Sequence, residues 1–327
     1  MQPTLGPLSI FDIESSHLLG VLRKIEQRHA LTTAEKVRGW LNQMFRYARV
    51  EYNLRHNPAS DLDIVAMPKP PVSNNPFLRM EELPDFLRAL RRYGGQKLTQ
   101  LGLRLLLLTG VRTGELRQAE PSQFDLERGL WIIPPVIVKQ LQVKLRKEGK
   151  TIEPYVVPLS RQAIVIVREL LQAQAKRPAQ RYLLSHRTDL KQRISENTLN
   201  YALHSLGYRN RLTGHGIRAT ISTALNELAY PKEWVEVQLS HADKDPVRAA
   251  YNHAAYIGPR RQMMQEWADR LDRWEAGDPV ERPKLPWMPQ APGSIEAYLR
   301  ALTQASSTQA SSPGGSPRAP ASLAEVA

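Results

Sequence analysis

The chain has 327 residues, and Lys plus Arg outnumber Asp plus Glu by 45 to 32, a formal charge of +13. That surplus points to a polyanionic partner, most simply nucleic acid. Cysteine is absent, which excludes disulfides, thiolate catalysis and cysteine-based zinc sites.

From the N-terminus, MQPTLGPLSIFDIESS lacks the basic stretch and apolar run of a secretory signal. Leu18, Val21, Leu22 and Ile25 then share one helical face. Thr32 followed by Glu35 predicts a capping box, after which Val37, Trp40, Leu41, Met44, Phe45 and Ala48 repeat at helical spacing. Asn57-Pro58 breaks the pattern. Lys36, Arg38, Arg46, Arg49 and Arg55 lie off the apolar stripe, where they suit phosphate tracking or simple solvation equally. Residues 67–76, MPKPPVSNNP, hold four prolines and two asparagines in ten positions and read as a linker.

Helical signal resumes from Met80 to Leu108, with Pro84 in the first turn. Its most apolar run, Leu101 to Leu108, is short and contains Arg104, so a buried helix is predicted there rather than a membrane span. Leu130–Ile133 and Tyr155–Val157 read as paired strands, joined by a polar, basic stretch as a long hairpin. Ser160 suits the cap of a helix carrying Ile164, Val167, Leu170 and Leu171, and further helices run to Leu271. From about Gly277 the chain turns Pro-, Ser- and Ala-rich, with too little apolar content to fold. The expected organisation is a helical unit at 1–66, a linker at 67–76, a second, mainly helical unit at 77–276 and a disordered tail at 277–327. A cytoplasmic, bacterial protein is expected, with no membrane partner.

Three motifs and a lysine carry chemistry. In Leu108-Thr109-Gly110-Val111-Arg112-Thr113-Gly114-Glu115, an apolar helix stops at a glycine and an arginine follows. A guanidinium is a planar fork that matches two phosphate oxygens, and Glu115 is placed to hold it. A surface ion pair of little worth is the bland alternative. In His215-Gly216-Ile217-Arg218, a spacing of three sets both side chains on one helical face: Arg218 suits a second clamp, and His215 suits donation to a phosphate oxygen or proton exchange, with a satisfied histidine at a helix N-terminus as the bland alternative. In Gln238-Leu239-Ser240-His241, the histidine precedes Tyr251 by ten residues, and Tyr256 is a rival five further on. Clustered cations favour phenolate and so a better nucleophile. Lys139, and near it Lys144, Lys147 and Lys150, suit phosphate contact or simple solvation equally, and an ammonium can also release a proton that a guanidinium holds. Gly149-Lys150-Thr151 echoes a phosphate-binding loop, but Lys144 stands where its first glycine belongs, so no ATP site is predicted.

These motifs resemble the tyrosine recombinase (phage integrase) superfamily, and within it the P4-type integrases of prophages and genomic islands. The resemblance covers roughly residues 7–275 and is most specific in QLSHADKDPVRAAYNHAAYIGPRRQMMQEWADRLD. It implies a mainly α fold with a small antiparallel β-sheet: a helical, SAM-like core-binding domain and a catalytic domain of the DNA breaking–rejoining type. It also implies Tyr251 as nucleophile, Arg112, Arg218, His215 and His241 as transition-state stabilisers, and Lys139 as the acid for the leaving 5′ oxygen. Lys36, Arg38, Arg46, Arg49, Lys144 and Lys147 become candidate DNA contacts. No metal and no ATP are implied. The expected partners are double-stranded attachment-site DNA, three further copies in a tetramer on paired sites, and DNA-bending or directionality factors. MMQEWADRL is amphipathic enough to dock on a neighbouring copy. A catalytically inactive or truncated integrase that only binds DNA is the alternative, and the intact six-residue set speaks against it. Departures are the absence of the group's arm-binding domain, Pro121 where the family usually has tryptophan, and the long hairpin insertion between Gln140 and Pro154.

Overall fold

The computed structural model describes residues 2–71, 74–148, 152–177, 179–241 and 256–281. The chain divides into two compact units, residues 1–74 and 75–327.

The first unit is helical: α1 (Gln2–Leu5), α2 (Ser15–Glu26), α3 (Leu31–Glu51) and α4 (Leu62–Val65). Leu18, Val21, Leu22 and Ile25 of α2 bury against Ala34, Val37, Leu41 and Phe45 of α3. Two expectations are corrected here. Thr32 lies inside α3, whose N-cap is Ala30, with no side-chain cap. Trp40 and Met44 are not core residues, being 60% and 57% exposed. A 21-residue helix packed mainly on one shorter neighbour buries a narrow stripe. Residues 40 and 44 sit one position off it, about 100° around the axis. They join Tyr47 and Val50 on the exposed face.

The second unit begins with a 3-10 turn (Met80–Glu82) and continues through α5 (Leu83–Arg91), α6 (Lys97–Thr109) and α7 (Thr113–Arg117). A further 3-10 turn (Pro121–Gln123) leads into β1 (Phe124–Asp125) and β2 (Leu130–Ile133). α8 (Lys139–Glu148) and β3 (Tyr155–Pro158) come next. They are followed by α9 (Arg161–Ala175), α10 (Thr198–Ser205), α11 (Gly216–Glu227), α12 (Lys232–Gln238) and α13 (Ile257–Ala276). The three strands form one antiparallel sheet in the order β1-β2-β3, with Trp131 opposite both Phe124 and Val157. Ser160 caps α9, accepting from the Ala163 amide at 3.2 Å. The stretch between β2 and β3 is not the plain polar connection of a hairpin: it contains α8, whose first residue is Lys139. Gln, Lys, Arg and Leu, which fill that stretch, are good helix formers.

α6 lies in the core, with Leu103, Leu105 and Leu106 fully buried, while Arg104 reaches Asp272 at 3.0 Å. α13 packs on α5, α6, α12 and β3. Its Met263, Met264, Trp267, Leu271 and Trp274 are buried, and Trp267 donates to the Leu107 carbonyl at 2.8 Å. The expectation that MMQEWADRL docks on a neighbouring copy is therefore corrected. Its apolar face is covered within its own unit, because the residues that make it amphipathic match the apolar surface of α5 and α6. Among the described residues no helix is long and apolar enough to cross a membrane.

Candidate functional site: two arginines and two histidines

The site is assembled where α6 ends. Gly110 takes a left-handed conformation (φ 69°), which stops α6 and turns the chain toward α7. Arg112 is the N-cap residue of α7, and Glu115 stands at the third helical position. The Glu115 carboxylate accepts from the Arg112 amide at 2.7 Å and from Nη1 at 2.9 Å, while Nη2 donates to the Ser240 carbonyl at 3.0 Å. The Glu115 side chain is 1% exposed, so this pair is not the weak surface pairing that a lone motif allows.

Arg218 stands at the third position of α11 and is buried. Its guanidinium donates to the carbonyls of Gly110 and Leu239. Burial, and then the Arg112 charge beside it, depress its pKa to about 10. His215 caps the same helix on the exposed rim of the site. Loss of surrounding water, followed by the charges of Arg218, Arg112 and His241, holds its pKa below the usual histidine value.

His241 is set by the end of α12. Ser240 adopts φ 49°, its amide bonds to the Val237 carbonyl at 3.0 Å, and the His241 amide bonds to the Glu236 carbonyl at 2.9 Å. These two bonds make a Schellman motif, with serine where glycine is usual. The strained turn aims the Ser240 carbonyl at Arg112. Ser240→Gly is expected to raise the unfolding free energy by about 0.5–1 kcal/mol, since glycine takes the left-handed region without the Cβ penalty. The shift of a urea midpoint measures it.

Behind the site lies a buried polar brace. Gln238 is fully buried; its Nε2 donates to the Thr109 carbonyl at 2.7 Å and its Oε1 accepts from Arg260 Nε at 3.1 Å. Tyr155 donates its hydroxyl to the Gln238 carbonyl, and burial raises its pKa to about 12. Arg260 also donates to the Val156 carbonyl at 2.8 Å. The brace joins the end of α12 to α6, β3 and α13, and so fixes the carbonyls that grip Arg218 and Arg112.

The structure thus brings Arg112, Arg218, His215 and His241 into one electrostatic neighbourhood. Lys139 is exposed at the start of α8 and shares no hydrogen bond or ion pair with these four. Lys144 and Lys147 belong to the same helix. Lys36, Arg46 and Arg49 are exposed on α3 of the first unit, with Arg38 partly buried. Tyr251, and with it His253, lies outside the described residues. Glu236, Gln238, Ser240, Tyr155 and Arg260 were not singled out from the sequence. Arg260 carried a usable signal: with Met263, Met264, Trp267 and Leu271 it falls on the apolar helical stripe, where a charged residue must be partnered.

Two guanidiniums and two imidazoles around one point can hold the oxygens of an anion, and above all a phosphoryl group whose charge grows during reaction. The phage integrase family model matches residues 76–257, and that of the phage integrase central domain matches residues 1–64. The chain belongs to the phage integrase family. This family member is 37% identical over 270 residues to the integrase of Shigella phage Sf6, a match covering 83% of the chain and 66% of that protein. It is 36% identical to the prophage integrase IntS of Escherichia coli strain K12, with 83% and 66% covered. To the integrase of Enterobacteria phage P4 it is 34% identical, with 83% and 62% covered. The family member therefore spans just under two thirds of the length of these relatives. Among solved structures, the integrase of transposon Tn1549 in complex with circular intermediate DNA aligns with a TM-score of 0.55 at 14% identity, covering 79% of this chain and 87% of that one. A lambda integrase dimer bound to a COC′ core site aligns with a TM-score of 0.50 at 14% identity, covering 87% and 88%. The fold of the family member is that of these integrases.

Proposed function

We propose that this chain is a site-specific DNA recombinase that cuts and rejoins strands through a 3′-phosphotyrosine intermediate, integrating or excising a mobile element. The observation that carries the reading is the convergence of Arg112 and Arg218, one held by Glu115 and both by backbone carbonyls, with His215 and His241 beside them. Relatives named as integrases, and neighbours of the same fold whose structures contain DNA, support it.

On this reading Tyr251 attacks the scissile phosphate. A tyrosine O–P bond forms as the hydroxyl proton passes to the neutral His215 imidazole, the P–O5′ bond breaks, and the leaving oxygen takes a proton from Lys139. Arg112 and Arg218 stabilise the pentacoordinate phosphorus. The phosphotyrosine bond stores the energy of the broken phosphodiester, so the reaction proceeds without ATP or a metal. Lys36, Arg38, Arg46 and Arg49 contact DNA from the first unit. Exchange of two strand pairs takes four copies on two sites.

The test is covalent trapping. Wild-type protein, Tyr251→Phe and Arg218→Ala are incubated with duplexes from the ends of the encoding element, nicked near candidate cleavage points, in EDTA without ATP. An SDS-resistant adduct is expected from wild type, none from Tyr251→Phe, and a rate about 10²–10³ lower from Arg218→Ala. Tight binding by wild type with no adduct would sink the recombinase reading in favour of a binding-only protein.

A further inference from the structure

A helix terminus leaves its last carbonyls without partners inside the helix. At the end of α12 the turn at Ser240 takes up those of Glu236 and Val237, and the Glu236 carboxylate meets His241 Nδ1 across it at 2.8 Å. The next carbonyls in sequence go to side chains of other elements. That of Gln238 accepts from the Tyr155 hydroxyl of β3, and that of Leu239 from Arg218 Nη2 of α11. That of Ser240 accepts from Arg112 Nη2, just before α7, at 3.0 Å.

Both guanidiniums therefore hang on neighbouring carbonyls of one chain. Only the backbone of Ser240, in its left-handed turn (φ 49°), separates the two acceptors. Whatever fixes the path of the chain here fixes both arginines at once, and Gln238 is placed to do so. Its fully buried carboxamide donates to the Thr109 carbonyl at 2.7 Å and accepts from Arg260 Nε at 3.1 Å. Arg260 is anchored in turn on the Val156 carbonyl, next to Tyr155, at 2.8 Å. Side chain and main chain of Gln238 are thus both engaged. A buried polar network of this kind holds one arrangement, because a member left unpaired bears its full desolvation cost.

We infer that Gln238 is a positioning residue for anion capture: through it, Tyr155 and Arg260 set the separation and aim of the Arg112 and Arg218 guanidiniums. Gln238 and Arg260 are 0% and 1% exposed, so they act through the arginines and not on a ligand. The catalytic half of this inference rests on the function proposed above; the positioning does not. A phosphoryl group bonded to both forks demands one distance between them, and a displacement of about 1 Å lowers rates on the order of 10²-fold. DNA affinity, by contrast, is spread over many backbone contacts and depends little on that distance.

The test has two arms on the full-length chain. Tyr155→Phe is the gentler probe, since it keeps the ring and removes only the hydroxyl. Gln238→Met keeps the length and removes both polar ends. In the first arm, nitrogen NMR of arginine-labelled protein follows the guanidiniums of Arg112 and Arg218, assigned with Arg112→Lys and Arg218→Lys, during titration with inorganic phosphate. In wild type both are expected to exchange slowly with water and to respond to phosphate with one midpoint. In both variants the pair should exchange faster and the phosphate midpoint should rise, while Arg104, held by Asp272 at 3.0 Å, keeps its wild-type signal. A pair unmoved by either substitution, or an Arg104 signal that changes as much as the pair, overturns the inference.

In the second arm, adduct formation on the nicked duplex is followed in single turnover with protein in excess, so that rate and amplitude are read separately, with DNA affinity measured alongside. The rate is expected to fall about tenfold for Tyr155→Phe and about 10²-fold for Gln238→Met, with DNA affinity changed far less. A merely structural role lowers the amplitude, through the share of protein folded, and leaves the rate of the remainder at the wild-type value; that result overturns the inference. Should Gln238→Met fail to fold, Tyr155→Phe decides both arms alone. If wild type forms no adduct while the arginine signals respond as expected, the recombinase reading fails and the positioning by Gln238 stands.

Discussion

Glu115→Ala is expected to destabilise the second unit by roughly 3–5 kcal/mol, the usual effect of removing one partner from a buried ion pair. Glu115 is 1% exposed and Arg112 16%, so solvent screens little of the interaction. The substitution removes the acceptor for both the Arg112 amide and Nη1. It also takes from Arg218 one of the two carboxylates, Glu115 and Glu236, that offset the repulsion of Arg112. A fall in Tm of roughly 10 °C corresponds to that energy in a unit of this size. Glu115→Gln keeps the shape and one acceptor oxygen, so it should fall between wild type and alanine. Thermal unfolding of the three proteins side by side measures the charge separately from the hydrogen bonds. A Glu115→Gln protein as stable as wild type would refute the charge argument.

Gly216→Ala is expected to be nearly as damaging, for a steric reason. A Cβ at that position would lie 1.9 Å from the Pro76 carbonyl oxygen, a backbone atom with no rotamer to change. Close by, the Leu78 amide is bonded to Thr220 of the same helix at 2.9 Å, so the strand of chain over α11 cannot easily lift. About 3 kcal/mol of stability should be lost, the upper end of the range for overpacking. Gly216 stands between His215 and Ile217, and a displaced first turn would move His215 and Arg218 together. A shift of about 1 Å in such groups lowers rates on the order of 10²-fold. Gly114→Ala is the control: nothing lies within 4 Å of a Cβ there, and alanine suits the short helix. Denaturant unfolding of both variants tests the prediction, and equal stability would refute it.

Much of the scaffold was legible in the sequence because its signals are periodic. The apolar run of α6, the strands at Leu130–Ile133 and Tyr155–Pro158, and the Ser160 cap follow from spacing and side-chain chemistry. What misled was periodicity without a partner list. Trp40 and Met44 have the right spacing for a core, yet only the facing helix decides how wide the buried stripe is. MMQEWADRL has the right faces for docking, and the structure shows that the receiving surface is its own unit. The motif residues Arg112, Glu115, His215, Arg218 and His241 stood out because they sit beside helix ends, where glycine and breaks mark the chain. Their holders did not, because most of them are carbonyls, and a carbonyl has no signature in a sequence. Glu236 lay five residues from His241, a separation that brings nothing together in a plain helix. Only the left-handed turn at Ser240 closes it.

The carbonyls that grip Arg218 have a bearing on how this site tolerates change over generations. Gly110 and Leu239 hold the guanidinium through main-chain oxygens, which every amino acid carries. No single replacement of a side chain at either position deletes the acceptor itself. The grip is written in the path of the chain, so the side chain at Leu239 can change while the acceptor stays, whereas Gly110 is held by its left-handed φ of 69°. Because a carbonyl is a dipole and not an ion, this hold also leaves the positive charge of Arg218 uncancelled for whatever anion arrives.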